Sequence, residues 1–286
     1  MLTFLPGSIR GALSLLLFAL NTIVWTVPLV LFHLLKLTIP SVGWRRFWSR
    51  VQNQMGTAWI SFNNWNLSVT NPVRWDVELP LELEKDKWYL VVANHRSWVD
   101  ILVLQKVFNR RIPFLKFFLK KELFWVPFLG LAWWALDYPF LARSAMANKD
   151  LEAIQQAAGK FKILPVSVMN FVEGTRYTNE KHEKQRSPYT HLLKPKPGGM
   201  TFLLSGMKEE IDLILDVTIA YPGGTPTMWG FLCGSCGEIR VRVKSIPVDG
   251  ELVGDFGKDK AFRRRFTAWQ REWWAEKDEE LQELLG

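Results

Sequence analysis

The longest uncharged run of the chain lies near its start, from Gly11 to Phe32. A run of about 22 residues is enough helix to cross a hydrocarbon core. Pro28 inside it is tolerated better in a membrane helix than in a soluble one. A secretory signal peptide is the alternative, but the run is long for an apolar signal core and no small-residue cleavage site follows cleanly. From Val42 to Trp65 the pattern changes. Arg45, Arg46 and Arg50 are interleaved with Trp44, Phe47, Trp48, Val51, Met55 and Trp59, as in a helix lying in a membrane interface or a soluble amphipathic one. Arg10, Lys36, Arg45, Arg46 and Arg50 crowd both ends of the apolar run, so the positive-inside rule selects no orientation. A single span and a bent hairpin dipping into one leaflet both fit.

From about residue 66 the pattern alternates between strand-like and helix-like stretches. Trp88 to Ala93, Leu164 to Val172 and Leu213 to Tyr221 read as buried strands. Ile239 to Val243, alternating apolar and basic, reads as a half-exposed one. Ser97 to Phe108 and Lys149 to Phe161 read as helices, and Phe256 to Leu285 as a long charged helix or pair of helices. Strands separated by helices predict an α/β sheet. The chain thus divides into membrane-anchoring helices over 1–65 and an α/β domain over 66–286 with a charged C-terminal segment.

At 286 residues with 48% hydrophobic side chains, the chain can bury a sizeable core. Fifteen Trp and a net charge of +8 suit an anionic lipid surface, and no nucleic-acid motif accompanies the charge. The two cysteines, Cys233 and Cys236, have the spacing of a redox pair or half a zinc site. No His pair lies near enough to complete a zinc site. A strand-like stretch, rather than a helix, follows them, which favours two small residues without chemistry.

Two short segments following strands carry the candidate chemistry. Asn94-His95-Arg96-Ser97-Trp98-Val99-Asp100 places a base at the carboxyl end of a strand, where open α/β sheets bind ligands. With Ser97 as helix cap, Asp100 falls at the third helical position and can fold back toward His95. A carboxylate holding one ring nitrogen leaves the other to take a proton from a hydroxyl; an Asp there also caps helices without any catalytic role. Phe171-Val172-Glu173-Gly174-Thr175-Arg176 leaves a second strand. Gly174 permits a tight turn, Thr175 and Arg176 can donate to phosphate oxygens, and Glu173 can bind a substrate hydroxyl or position Arg176. Between them, Arg143 is a further cation, and Lys116, Lys120 and Lys121 precede an apolar stretch. There is no G-x-S-x-G elbow, P-loop or H-E-x-x-H helix.

These residues resemble the glycerolipid acyltransferases of the lysophosphatidic acid acyltransferase type. Asn94-His95 to Asp100 resembles that family's H-x4-D block. Asp137 to Arg143 resembles its second block, Phe171 to Arg176 its E-G-T-R block, and Val217 to Pro222 its fourth. The wording is most similar to the branch holding bacterial YihG-like proteins, plant lysophosphatidate acyltransferases and lysocardiolipin acyltransferases. One departure is Asp137-Tyr138-Pro139, where many members begin the block with Gly. The resemblance implies a mixed sheet flanked by helices, of glycerol-phosphate-acyltransferase type, behind a membrane-embedded N-terminus. It implies transfer of a fatty acyl group from acyl-CoA or acyl-carrier protein to a lysophospholipid, first of all 1-acylglycerol 3-phosphate, with no metal or cofactor. His95 would be the base and Asp100 its orienter. Arg143, Glu173, Gly174, Thr175 and Arg176 would bind the phosphoglycerol part of the acceptor. The expected location is a bacterial inner membrane with the catalytic domain cytoplasmic.

Overall fold

The computed structural model describes residues 2–141 and 157–286. Two long helices, α1 (Gly7–Thr38) and α2 (Val42–Thr70), open the chain. A six-stranded mixed sheet follows, in the order β1-β8-β7-β2-β6-β3. Its strands are β1 (Arg74–Glu78), β2 (Trp88–Ala93), β3 (Leu115–Phe117), β6 (Ser167–Phe171), β7 (Ile211–Ala220) and β8 (Glu238–Pro247). All neighbouring pairs are parallel except β7 with β8. A two-stranded ribbon pairs β4 (Leu119–Lys120) with β5 (Phe140–Leu141). Helices α3 (Val99–Phe108) and α4 (Leu129–Ala135) connect the early strands.

Successive side chains of a strand face opposite ways, and β2 shows the consequence. Tyr89, Val91 and Ala93 enter one core with α2, α3 and α4; Leu90 and Val92 enter a second, with the Pro197–Gly206 helix and the C-terminal helix (Lys260–Leu285). Helices therefore cover both faces, as a largely parallel sheet requires. β6 begins at Ser167 rather than at Leu164, because Pro165 offers no N–H to the ladder. β1 escaped the sequence reading: its Arg74, Asp76 and Glu78 suit an edge strand, which carries charge to remain unpaired on its free side. The C-terminal helix starts at Lys260, where Asp259 accepts from the N–H groups of Ala261 and Phe262 at 2.8 and 3.0 Å. Of the helix expected over 149–161, only 157–161 is described, and it is helical.

α1 is amphipathic in reverse. Gly11, Ser14, Asn21, Thr26, His33 and Lys36 are buried, while Leu16, Leu20, Val24, Val27, Leu31 and Leu34 are exposed. Several of the inward polar groups meet α2 and α4. Asn21 Nδ2 donates to Asn63 Oδ1 at 2.8 Å and to the Trp59 carbonyl at 3.0 Å, and Asn66 Nδ2 to the Ser14 carbonyl at 3.0 Å. Gln52 Nε2 donates to the Ala135 carbonyl at 2.8 Å. Lys36 pairs with Asp137, whose backbone is left-handed at φ 56°. Glycine is the usual occupant of that conformation, and Asp is among the residues that tolerate it. The departure at Asp137 is therefore backbone chemistry with an ion pair to α1 attached, and its carboxylate does not line the site described next.

Candidate active site

The two segments singled out in the sequence meet because β2 and β6 are parallel neighbours in register, Ala93 opposite Phe171. Two residues further on, each strand delivers its motif at one sheet edge: His95 from the first, Glu173 from the second. Asn94 closes the other side. Its amide is fully buried and exchanges two hydrogen bonds of 2.9 Å with the backbone of Ile219, extending the ladder to β7 past the last strand residue of β2.

Asp100 is fully buried and surrounded by donors. Its Oδ2 accepts from His95 Nδ1 at 2.8 Å, Arg96 N at 2.7 Å and Ser97 N at 2.9 Å. Its Oδ1 accepts from the hydroxyl of Tyr221 at 2.5 Å. A carboxylate that only accepts, held by four donors, has one position available. It fixes His95 with Nδ1 protonated. The imidazole stacks on Phe171, ring centroids 3.8 Å apart and 14° from parallel. Nε2 has no hydrogen-bond partner among the described residues, and His95 lines the cavity beside it. The expected helix start shifts slightly. α3 begins at Val99, so Asp100 is its second residue, not its third. Ser97 acts one residue earlier than expected, accepting from Val99 N at 3.2 Å and donating to the Pro226 carbonyl at 2.6 Å. That hydroxyl is occupied and is no nucleophile.

The second segment divides. Glu173 is fully buried and does not line the cavity. Its oxygens accept from His95 N and Leu193 N, each at 3.3 Å. Burial pushes its carboxyl up to about 8, against the pull of those two N–H groups. The carboxylate read from the sequence as binding a substrate hydroxyl or positioning Arg176 is turned to two backbone N–H groups in this structure. Gly174 adopts φ +69°, and a Cβ there would come within 3.1 Å of the Lys196 side chain. Thr175 and Arg176 do line the cavity. The Thr175 hydroxyl accepts from Lys181 Nζ at 2.8 Å, and the exposed Arg176 guanidinium lies 4.7 Å from the Trp98 ring centroid. Arg143 lies outside the described residues.

The cavity measures about 290 Å³, near the small end for ligand sites. Ile101, Phe117, Leu119, Leu123 and Met169 supply apolar wall; Lys120, Arg176 and Lys196 supply positive charge. Sequence reading gave no role to three residues that the fold brings to the site. Tyr221 stood in the fourth block, Phe171 at the end of a strand and the start of its motif, and Lys196 carried no reading. Only the fold turns them toward His95 and the cavity. Lys116 is buried, and desolvation pushes its ammonium down to about 8, with Asp137 opposing. Neither Cys233 nor Cys236 lines the cavity, and Cys233 lies against Gly11 of α1. Burial pushes the Cys236 thiol up to about 11, which leaves it protonated and unreactive. Among the described residues no cluster of His, Cys, Asp and Glu could hold a metal ion.

Comparison with known proteins agrees with this fold. Residues 74–221 match the family model described as Acyltransferase. The 1-acyl-sn-glycerol-3-phosphate acyltransferase 3 of Arabidopsis thaliana is 31% identical over 180 residues, covering 57% of this chain and 47% of the plant protein. The epsilon form from Mus musculus is 28% identical over 192 residues, covering 58% and 52%. The chain spans about half the length of the curated relatives it matches. The crystal structure of the 1-acyl-sn-glycerophosphate acyltransferase PlsC from Thermotoga maritima superposes with a TM-score of 0.55, covering 96% of this chain and 98% of that one. At 19% identity that likeness is one of fold.

Proposed function

This chain belongs to the acyltransferase family, and from that premise we propose that it moves a fatty acyl group from acyl-CoA or acyl-carrier protein to a lysophospholipid hydroxyl. The acceptor we assign first is 1-acylglycerol 3-phosphate, giving phosphatidic acid; the curated relatives carry that acceptor in their names. The observation that carries the reading is His95, tied at Nδ1 to a saturated Asp100 and open at Nε2 beside a cavity with Arg176 and Lys196.

In this mechanism Nε2 takes the proton of the acceptor hydroxyl as its oxygen attacks the thioester carbonyl. The C–O bond forms, the C–S bond breaks, and the departing thiolate receives the proton back from the imidazolium. Asp100 stabilises that imidazolium and keeps its orientation. Arg176 and Lys196 hold the acceptor phosphate so that the hydroxyl meets Nε2 at reacting distance.

The N-terminal helices set this chemistry at a bilayer. α1 is long and apolar enough to cross a membrane, with a mean hydropathy of 2.2 in its most apolar window. Six half-exposed Leu and Val side chains along it contribute on the order of 10 kcal/mol once buried in lipid. The catalytic domain faces the cytoplasm, where the acyl donor is made, and the membrane is a bacterial inner membrane. Alkaline carbonate should leave the protein in the membrane fraction; complete extraction overturns the anchoring.

The deciding experiment supplies purified protein with one labelled acyl-CoA and a panel of lysophospholipids and glycerol 3-phosphate. Labelled phosphatidic acid formed from 1-acylglycerol 3-phosphate, and absent with His95→Ala, is the expected result. No transfer to any hydroxyl acceptor, or equal transfer by the variant, rejects the reading.

A further inference from the structure

The family match ends at residue 221, and the C-terminal helix lies well beyond it, yet that helix is tied to the reaction centre through a strap of chain. We propose that the Lys260–Leu285 helix is a positioning element for His95, acting through Asp278 and Trp274 on residues 187–194. This inference rests on the reading of His95 as the base.

The connections form two short routes. Asp278 caps the strap: its oxygens accept from Thr190 N at 2.6 Å and His191 N at 2.8 Å. Trp274, fully buried, donates from Nε1 to the Leu193 carbonyl at 2.9 Å. On its other side the strap holds the catalytic loop. Leu193 N donates to Glu173 Oε1, and Glu173 Oε2 accepts from His95 N, each at 3.3 Å. Arg96, next to His95, donates to the His191 carbonyl at 2.8 Å and lies over the Tyr177 ring at 4.7 Å. Tyr177 N in turn donates to the His95 carbonyl at 2.7 Å. The backbone of His95 is thus held at its N–H and its carbonyl by groups that the strap positions.

The Asp278 and Trp274 contacts are hydrogen bonds to strap backbone, so they specify where the strap sits; the Tyr189 hydroxyl with the Arg271 carbonyl at 3.4 Å and His191 Nε2 with Gln282 Oε1 at 2.5 Å add side-chain ties to the same helix. None of residues 187–194 lines the cavity, so loosening the strap should move the base without touching substrate. A displacement of about 1 Å at a reacting group can cost as much as 10²-fold in rate.

The same helix supplies its own control. Glu280 pairs with Lys244 at 2.8 Å and accepts from the Thr218 hydroxyl at 2.5 Å, contacts to the sheet that do not reach the strap. Kinetics of Asp278→Ala, Trp274→Phe and Glu280→Gln in the full-length protein, each assayed well below its own Tm, separate positioning from stability. The expected result is a fall of ten- to a hundredfold in kcat for Asp278→Ala and a smaller one for Trp274→Phe. Acceptor KM should be unchanged in both. Glu280→Gln should lower Tm and leave kcat alone. If Asp278→Ala does not fold, Trp274→Phe, which keeps an aromatic ring while removing the donor and part of the buried indole, carries the test, with its Tm measured beside kcat. Wild-type kcat in these two variants, or an equal fall in Glu280→Gln, overturns the proposal. His95→Ala run in parallel keeps the two readings distinguishable: an active His95→Ala rejects the base, whereas an inactive one with unaffected strap variants rejects only the brace.

Discussion

The two loops at the carboxyl edge of β2 and β6 are built to opposite standards. In the His95–Asp100 loop the carboxylate and the ring are fixed and Nε2 is left facing the cavity: Asp100 is fully buried and receives four hydrogen bonds, and His95 is stacked on Phe171. In the Gly174–Arg176 loop, Arg176 is exposed and, among the described residues, rests on the face of Trp98, beside an exposed Lys196. Under the proposed function, the first loop has its geometry before substrate arrives, and the second has its charge available for the ligand. A base must be within hydrogen-bond reach of one proton. A phosphate offers several oxygens, and long cationic side chains can meet it from more than one approach. Rigidity belongs with proton transfer and adaptability with recognition.

The largest expected effect breaks the first loop. His95→Ala should cost about 10²–10⁴-fold in kcat, with the protein still folded, as judged by an unchanged circular dichroism spectrum. Asp100→Asn should fall in the same range, because an amide in that place cannot keep Nδ1 protonated and oriented. Near wild-type turnover in either variant ends the claim that this loop holds the base. Arg176→Ala tests the second loop. Losing a charge-assisted contact should cost about 1.5–3 kcal/mol, read as a rise in acceptor KM with donor KM constant. If donor KM rises instead, the open loop serves the acyl donor.

Tyr221→Phe sharpens the contrast by removing one of the four donors around Asp100. At about 1.5 kcal/mol for a hydrogen bond to a charged group, kcat should fall roughly tenfold. With Oδ1 unpaired, the carboxylate concentrates more negative charge on the imidazole. The acidic limb of the pH–rate profile should therefore move to higher pH, and an unmoved limb would show that Tyr221 is packing alone.

The last test concerns stability rather than rate. Burial raises the Glu173 carboxyl from its ordinary 4.5 to about 8. Below about 4.5 the folded and unfolded chains both hold this proton; between 4.5 and about 8 only the fold does. The contribution of this group to stability is therefore full in acid and is lost as pH rises through about 8. Thermal unfolding of wild type and Glu173→Gln at pH 5 and pH 9, two assay conditions bracketing that window, should show the variant gaining relative stability at the higher pH. A constant difference in Tm between them would contradict that assignment.

Much of this was legible along the chain. The uncharged run ahead of Phe32, the alternation of the Ile239–Val243 stretch and the apolar blocks of β2, β6 and β7 are periodic signals that local physics enforces, and the structure places elements on each of them. The spacing of His95 and Asp100 also pointed to their contact, because a five-residue separation across a helix start lets the carboxylate fold back onto the ring. What the sequence alone left undecided depends on partners distant along the chain. Tyr221 reaches Asp100 across 121 residues, Leu193 reaches Glu173 across 20, and Asp278 reaches the strap across 88. No local pattern encodes such meetings, since strand order and register decide them. The same holds for Glu173, whose type and position suggest a ligand but whose burial makes it a brace. It holds too for α1, whose polar residues face inward only because α2 and α4 are there to receive them. Sequence determined which segments are helix, strand and reactive turn, because those follow from neighbours in the chain. Tertiary structure decided which polar groups are satisfied by protein and which are left for substrate, because that depends on what packs against them.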